Sequence, residues 1–283
     1  MPRTTHDTSA WSEGALTSLR NPFANALRSH ARPLYGTRLQ PTLGVLGSAT
    51  ARLSRAFRNA IKGEASGLVR LRPQEPDRSL ILDVGCGSGL SLLRARDAGW
   101  RVMGIEPDDA ATRTAKARGI EVVARHLEDL PSAFNGTFER IMLSHVIKHV
   151  HDPLAMLRRC RELLAPGGTL WLETPTCPAL ATLSSALIGA DWRGLEPPRH
   201  LVMWRSRPLE ALLERAGLGK VGHCEPREVW AYMFEHSVGT RQKRQRDTAI
   251  ESCETVGHYI RRARETVAKT PERAEFQTLT ATA

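Results

Sequence analysis

From Leu80 onward the chain alternates two hydrophobic rhythms. Short apolar runs of strand length are separated by longer stretches whose apolar residues recur every three to four positions, the pattern of a parallel sheet covered by helices. Leu80 to Val84 reads as a buried strand ending in a glycine turn, and Leu90 to Ala98 as the helix after it. Val102 to Glu106 predicts a second strand, and Asp109 to Arg118 its helix, closed by Gly119. Ile120 to Ala124 and Phe138 to Ser144 predict strands three and four. Pro153 to Leu164 predicts a helix with proline in its first turn, and Thr169 to Glu173 a fifth strand after Pro166-Gly167-Gly168. Pro208 to Ala216 predicts another helix, and Lys220 to Cys224 with Val229 to Phe234 a hairpin.

The flanks read differently. Leu43, Leu46, Leu53, Phe57 and Ile61 recur at helical intervals with arginines between them, so 43–62 is expected to form an amphipathic helix. Pro73 and Pro76 then break the chain before the core begins near Arg78. Three regions follow: a basic N-terminal extension, 1–77; a core domain, 78–238; and a charged tail, 239–283, helix-prone from Ile250 to Ala268. Residues 178–204 exceed what a connection after a fifth strand needs and read as a lid-like insertion carrying Trp192, Arg193, Arg199, His200 and Trp204.

Composition narrows the class. With 283 residues, 41% hydrophobic and 25% charged, the chain can bury one sizeable core. It has no apolar run long enough to span a bilayer and no apolar leader, so a cytoplasmic location is expected. The five cysteines are scattered without C-x-x-C spacing, which points to reduced thiols. The net charge of +10 is uneven: residues 1 to 79 hold 12 Lys and Arg against 5 Asp and Glu, while residues 80 to 219 hold 17 against 16. A basic arm suits an anionic substrate, a membrane surface or nucleic acid. No aromatic residues interleave with these charges as a base-stacking platform would need, so a solvated helical face is the simpler reading.

The most specific feature is Leu82-Asp83-Val84-Gly85-Cys86-Gly87-Ser88-Gly89. A strand, then glycines at alternate positions, then a helix lets a ligand approach the backbone where Cβ atoms would collide. A pyrophosphate-binding G-x-G-x-x-G loop would place its third glycine at position 90, where this chain has Leu90. The G-x-G-x-G spacing suits instead the compact methionine portion of S-adenosylmethionine. Glu106, 17 positions after Gly89 at the end of the second predicted strand, supplies a carboxylate that can accept both ribose hydroxyls.

With these residues in place, the stretch from about 80 to 235 resembles class I S-adenosylmethionine-dependent methyltransferases, in particular the bacterial group related to the ubiquinone-biosynthesis O-methyltransferases. Leu82 to Gly89 is similar to the first motif of that family and Gly104-Ile105-Glu106-Pro107 to the second. Ser144 to Pro153, Leu164 to Gly168 and Asp191 to Leu201 are similar to later ones. The resemblance implies an α/β, Rossmann-like, seven-stranded sheet, mostly parallel, whose last strand runs antiparallel. It also implies S-adenosylmethionine as cofactor. Asp83 and Gly85 would border its methionine portion, Glu106 its ribose, and His126 and Leu127 its adenine; Cys86, Gly87, Gly89, Pro107 and Ser144 complete the expected cofactor residues.

Methyl transfer from a sulfonium needs an aligned acceptor and, for an oxygen or nitrogen acceptor, a group that takes its proton. His145, His149 and His151 follow the fourth predicted strand, and His149 is the first candidate for that base, with His145 second. Relatives carry two glutamates and a histidine here that resemble a divalent-metal site. This chain has His145 and Lys148 at the glutamate positions, so no bound Mg²⁺ is expected. A three-histidine zinc site is the remaining metal alternative, with undiagnostic spacing. The leading expectation is O-methylation of a small-molecule acceptor. A methyltransferase acting on RNA or protein and a non-catalytic binding module with this fold are the other two readings.

Overall fold

The computed structural model describes residues 79–97, 99–176, 198–224 and 276–283, together with 261, 265–266 and 269–270. The expected helix at 43–62, the 1–77 extension, most of the 178–204 insertion, the strand at 229–234 and nearly all of the 250–268 helix lie outside these residues. The chain divides into two compact units, Met1–Ile141 and Met142–Ala283.

Seven strands form one sheet in the order β3-β2-β1-β4-β5-β7-β6. In the first unit, β1 (Leu80–Val84) leads through α1 (Leu90–Asp97) to β2 (Arg101–Ile105). From there α2 (Asp109–Ala117) leads to β3 (Val122–Ala124). All five residues of β1 are buried, as a strand covered on both faces requires. Strands β1 and β2 run parallel with Val84 opposite Ile105, so the turn after β1 lies beside Glu106, the residue that follows β2. Helix α2 starts at Asp108, whose carboxylate accepts from the N–H groups of Ala110 and Ala111 at 2.9 and 2.8 Å, an N-cap that fixes where β2 ends. Ile81, Leu82, Leu92, Ile105, Ile120 and Phe138 are fully buried around these strands.

Strand β4 (Phe138–Ser144) closes the first unit and opens the second, which continues with α3 (Pro153–Leu163) and β5 (Leu164–Pro175). Helix α4 (Ser206–Arg215) precedes β6 (Gly219–His223), and β7 (Phe276–Thr282) comes last. Proline at N1 and the Asp152 carboxylate, which accepts from the Ala155 N–H at 2.9 Å, start α3 as its sequence suggests.

Strand β7 runs antiparallel to both β5 and β6, which agrees with the expected antiparallel last strand. Its identity is a correction. The described partner of β6 is Phe276–Thr282, so the end of the tail is a strand where a helical tail was expected. Gln277, Thr278, Leu279 and Ala281 are buried; Thr278, Thr280 and Thr282 share one face and Gln277, Leu279 and Ala281 the other, so the run alternates but carries few strongly apolar residues to signal a strand.

Candidate active site

In the first unit the backbone of the glycine turn is tied to the end of β2. The N–H groups of Gly85 and Cys86 both donate to the Ile105 carbonyl, at 2.8 and 3.0 Å. Gly85, Gly87 and Gly89 have φ of +74°, +55° and +79°, the left-handed region that side chains disfavour. A Cβ on Gly89 would also stand 2.9 Å from Ile120 Cγ1, so this position excludes alanine on two grounds. Glu106 is buried and bridges the two loops. Its Oε2 accepts from the Gly87 N–H at 2.8 Å, and its Oε1 from the Asp108 N–H at 2.9 Å.

Asp83 sits at the base of the same loop, 3% exposed, and its Oδ1 has no hydrogen-bond partner among the described residues. Burial raises its carboxyl to about 7, and the neighbouring Glu106 charge adds to the shift. Burial likewise pushes the Cys86 thiol up, with Asp83 and Glu106 reinforcing it, so Cys86 stays a protonated thiol. Its sulfur packs against Gly104, where a Cβ would come within 2.5 Å. The Cys86 side chain therefore fills volume, while its backbone shapes the loop.

The other expected cofactor residues divide by role. The Pro107 carbonyl accepts from Arg125 Nη2 at 2.8 Å, and Arg125 also pairs with Asp109. The His126 N–H donates to Asp129 Oδ2 at 3.1 Å, while the Leu127 side chain is buried in the core. Asp129 was not singled out in the sequence; an acid three residues after a helix N-cap is the signal that reveals it.

In the second unit, Ser144 ends β4 and His145 follows with φ of +60°, left-handed for a non-glycine residue. Its N–H donates to the Glu173 carbonyl at 2.8 Å. Its Nε2 lies 3.3 Å from Glu173 Oε1, and its Nδ1 3.4 Å from Lys148 Nζ. The ring meets Phe276 edge-on, centroids 5.1 Å apart. Glu173 and Lys148 are both buried, and Thr278 Oγ1 donates to Glu173 Oε2 at 3.2 Å.

The 3-10 turn Ile147–His149 turns His149 toward other partners. Its Nδ1 lies 2.7 Å from the Arg199 carbonyl, and its ring is 5.0 Å from that of His200. A carbonyl only accepts, so Nδ1 carries a proton, and in the neutral ring the lone pair is then on Nε2. His145 and His149 thus have separate partners, and among the described residues no group of three or more His, Cys, Asp and Glu side chains is arranged to hold a metal ion. Glu173, Thr278 and Phe276 were missed from the sequence. An acid closing the apolar run Leu170-Trp171-Leu172 was a signal of the same kind that drew attention to Glu106.

Comparison with known proteins agrees with this geometry. Residues 55–222 match the family described as methyltransferase domain. A ubiquinone biosynthesis O-methyltransferase from Xanthomonas campestris pv. campestris is 34% identical over 119 residues, which is 40% of this chain and 49% of that protein. The chain thus spans about half the length of such curated relatives. The fold resembles a SAM dependent methyltransferase from Archaeoglobus fulgidus, with TM-score 0.52 and 18% identity over 80% of this chain and 94% of that one. It also resembles the cyclase SpnF, with TM-score 0.51 and 19% identity over 80% and 82%. Glycine turn, closing acid and family match lead to one conclusion: this chain belongs to the methyltransferase-domain family, and part of it is similar to the ubiquinone-biosynthesis O-methyltransferases.

Proposed function

We propose that this chain transfers a methyl group from S-adenosylmethionine to an oxygen atom of a small-molecule acceptor, releasing S-adenosylhomocysteine. The observation that carries the reading is Glu106. Each of its oxygens takes one backbone N–H, and a carboxylate oxygen has a second lone-pair direction, so two vicinal hydroxyls can be accepted without breaking either bond. The residues around it fit the same ligand. Asp83 offers a buried carboxylate to a cationic ammonium, and three left-handed glycines allow close backbone approach. Gly85, Cys86, Gly87 and Gly89 form the wall at the methionine portion. Pro107, His126, Leu127 and Ser144 complete the cofactor set. A shared fold alone does not choose a reaction, as the likeness to a cyclase illustrates, so these residues carry the assignment.

When bound, S-adenosylmethionine supplies a methyl group activated by a sulfonium. His149 acts as general base: the Arg199 carbonyl fixes its tautomer, and Nε2 takes the proton from the acceptor hydroxyl and returns it to solvent. Oxygen is favoured because a hydroxyl benefits from such a base, and because the curated relatives are named as O-methyltransferases. The test is incubation of the protein with methyl-labelled cofactor and a panel of phenols, alcohols and amines. Acceptor-dependent release of S-adenosylhomocysteine with label on oxygen is expected. Absence of cofactor binding by calorimetry would overturn the reading, and label on nitrogen or carbon would overturn the choice of acceptor atom.

A further inference from the structure

The imidazole assigned as base is gripped by a segment that lies 50 positions further along the chain. The Lys148 carbonyl accepts from the Leu201 N–H at 2.8 Å and from the Val202 N–H at 3.3 Å. In return the Arg199 carbonyl takes the Nδ1–H of His149 at 2.7 Å. The segment is pinned again at Trp204, which pairs in parallel with Thr176 just past β5 and whose carbonyl accepts from Gln277 Nε2 at 3.1 Å. Backbone groups of 199–204 are thus fixed at one end on the turn after β4 and at the other on the sheet, all within the second unit.

One hydrogen bond is a weak hold on an imidazole. The bond from Nδ1 to the Arg199 carbonyl is exposed, so water competes for both groups, and such a bond favours one arrangement by only about fivefold. Half a turn of the ring about Cβ–Cγ would put a carbon where Nδ1 stands and carry Nε2 out of line. A base needs its nitrogen aligned with the proton it takes, and small misplacements cost rate. A second contact on this ring comes from the imidazole of His200, with centroids 5.0 Å apart and planes tilted by 57°. Paired rings at this separation add a preference of about threefold to tenfold. The clasp that carries His200 is built from backbone groups, so its ring meets His149 from a fixed support.

We propose that His200 is a positioning residue for His149: its ring holds the His149 imidazole with Nδ1 on the Arg199 carbonyl and Nε2 turned to the acceptor. The inference rests on the methyl-transfer reading with His149 as base, and adds to it the group that sets the plane of the ring. His200 does not touch the reacting atoms, and no proton passes through it. The sequence pattern places His200 among residues that would act on the acceptor directly; the ring contact gives it a role through the base.

The test reads the His149 tautomer by ¹⁵N NMR in the whole protein, with S-adenosylhomocysteine affinity measured by calorimetry on the same samples. The tautomer reports the ring plane, because the held orientation keeps the proton on Nδ1 and a turned ring reverts to the Nε2–H form that histidine favours in water. The parent is expected to carry the proton on Nδ1. His200→Ala should lower the ratio of Nδ1–H to Nε2–H at least about threefold, and His200→Phe, which keeps a ring, should hold it within about twofold of the parent. Affinity for S-adenosylhomocysteine should stay within about twofold in both variants. Diethyl pyrocarbonate, which acylates an imidazole lone pair that it can reach, should label His149 in the folded parent. A parent proton on Nε2, an unlabelled His149, an unchanged ratio in His200→Ala, or a ratio in His200→Phe as low as in His200→Ala would each overturn the proposal. So would a fall in S-adenosylhomocysteine affinity that tracks the ratio, since His200 would then serve the fold at large. The parent tautomer and the labelling need no variant, so a poorly folding substitution does not block the test. Failure of the parent to bind S-adenosylhomocysteine would count against the methyl-transfer reading separately.

Discussion

Among the described residues each unit has one buried glutamate near the end of a strand, and the two are held by different means. Glu106, after β2, takes backbone N–H groups from two loops, Gly87 and Asp108. Glu173, near the end of β5, takes side chains, the His145 ring and the Thr278 hydroxyl. Backbone donors form a rigid receptor whose shape depends on glycine conformation. Side-chain donors make a receptor that substitution can retune one residue at a time. The first unit thus holds its glutamate with backbone whose shape glycine sets, and the second with side chains that substitution can change singly.

The largest expected effect breaks the first of these sites. Glu106→Ala strips the Gly87 and Asp108 N–H groups of their acceptor and removes the partner proposed for the ribose. Cofactor affinity measured by calorimetry should fall by at least about 100-fold, with a lowered melting temperature. Retained affinity would mean that the ribose is held elsewhere.

His149→Ala tests the second site alone. Loss of a general base should lower kcat by about 100-fold, and cofactor affinity should stay unchanged in the same preparation. A fall in cofactor affinity with little change in kcat would mean that His149 only anchors the segment containing Arg199.

The two sites were also unequally legible in the sequence. The glycines and Glu106 lie within one strand-helix-strand unit, so spacing along the chain reports spacing in the fold, and the elements of that unit match their expected ranges to within two residues. The Glu173 cluster needs Phe276 and Thr278, about a hundred positions further along, and these sit on a strand with few strongly apolar residues to announce it. Nor could the sequence show that His145 takes a left-handed φ, because neighbouring hydrogen bonds and not its residue type impose it. A histidine-rich loop after β4 was visible; which imidazole faced which partner was a matter of tertiary contacts.

The pH dependence of the first site is a smaller effect with a definite sign. Asp83 ionises near 7 in the folded protein, against about 4 when unfolded. The folded state therefore binds more protons between these values, and stability of the unliganded protein should fall as pH rises from about 4 to 7, then level off. A cationic ammonium beside Asp83 lowers that value, so cofactor binding releases a proton. Affinity should weaken by up to about tenfold for each pH unit below 7 and be flat above it. Calorimetry in buffers of differing ionisation enthalpy reads the proton directly. Asp83→Asn should flatten the profile, and an unchanged slope would remove Asp83 from the methionine portion.

The smallest effect asks whether the loop after β2 is held from inside or from outside. Arg125 spans its outer side, pairing with Asp109 and donating to the Pro107 carbonyl, but both charged side chains are well over half exposed. Solvent screens such a pair and the long side chains lose freedom in forming it, so Arg125→Ala should cost at most about 1 kcal/mol in chemical denaturation, falling further with added salt. Cofactor affinity should change by less than about threefold, because the Glu106 bonds that shape the loop are buried and untouched. A loss approaching that of Glu106→Ala would reverse the comparison: the outer ion pair would then set the loop, and the buried carboxylate would follow it.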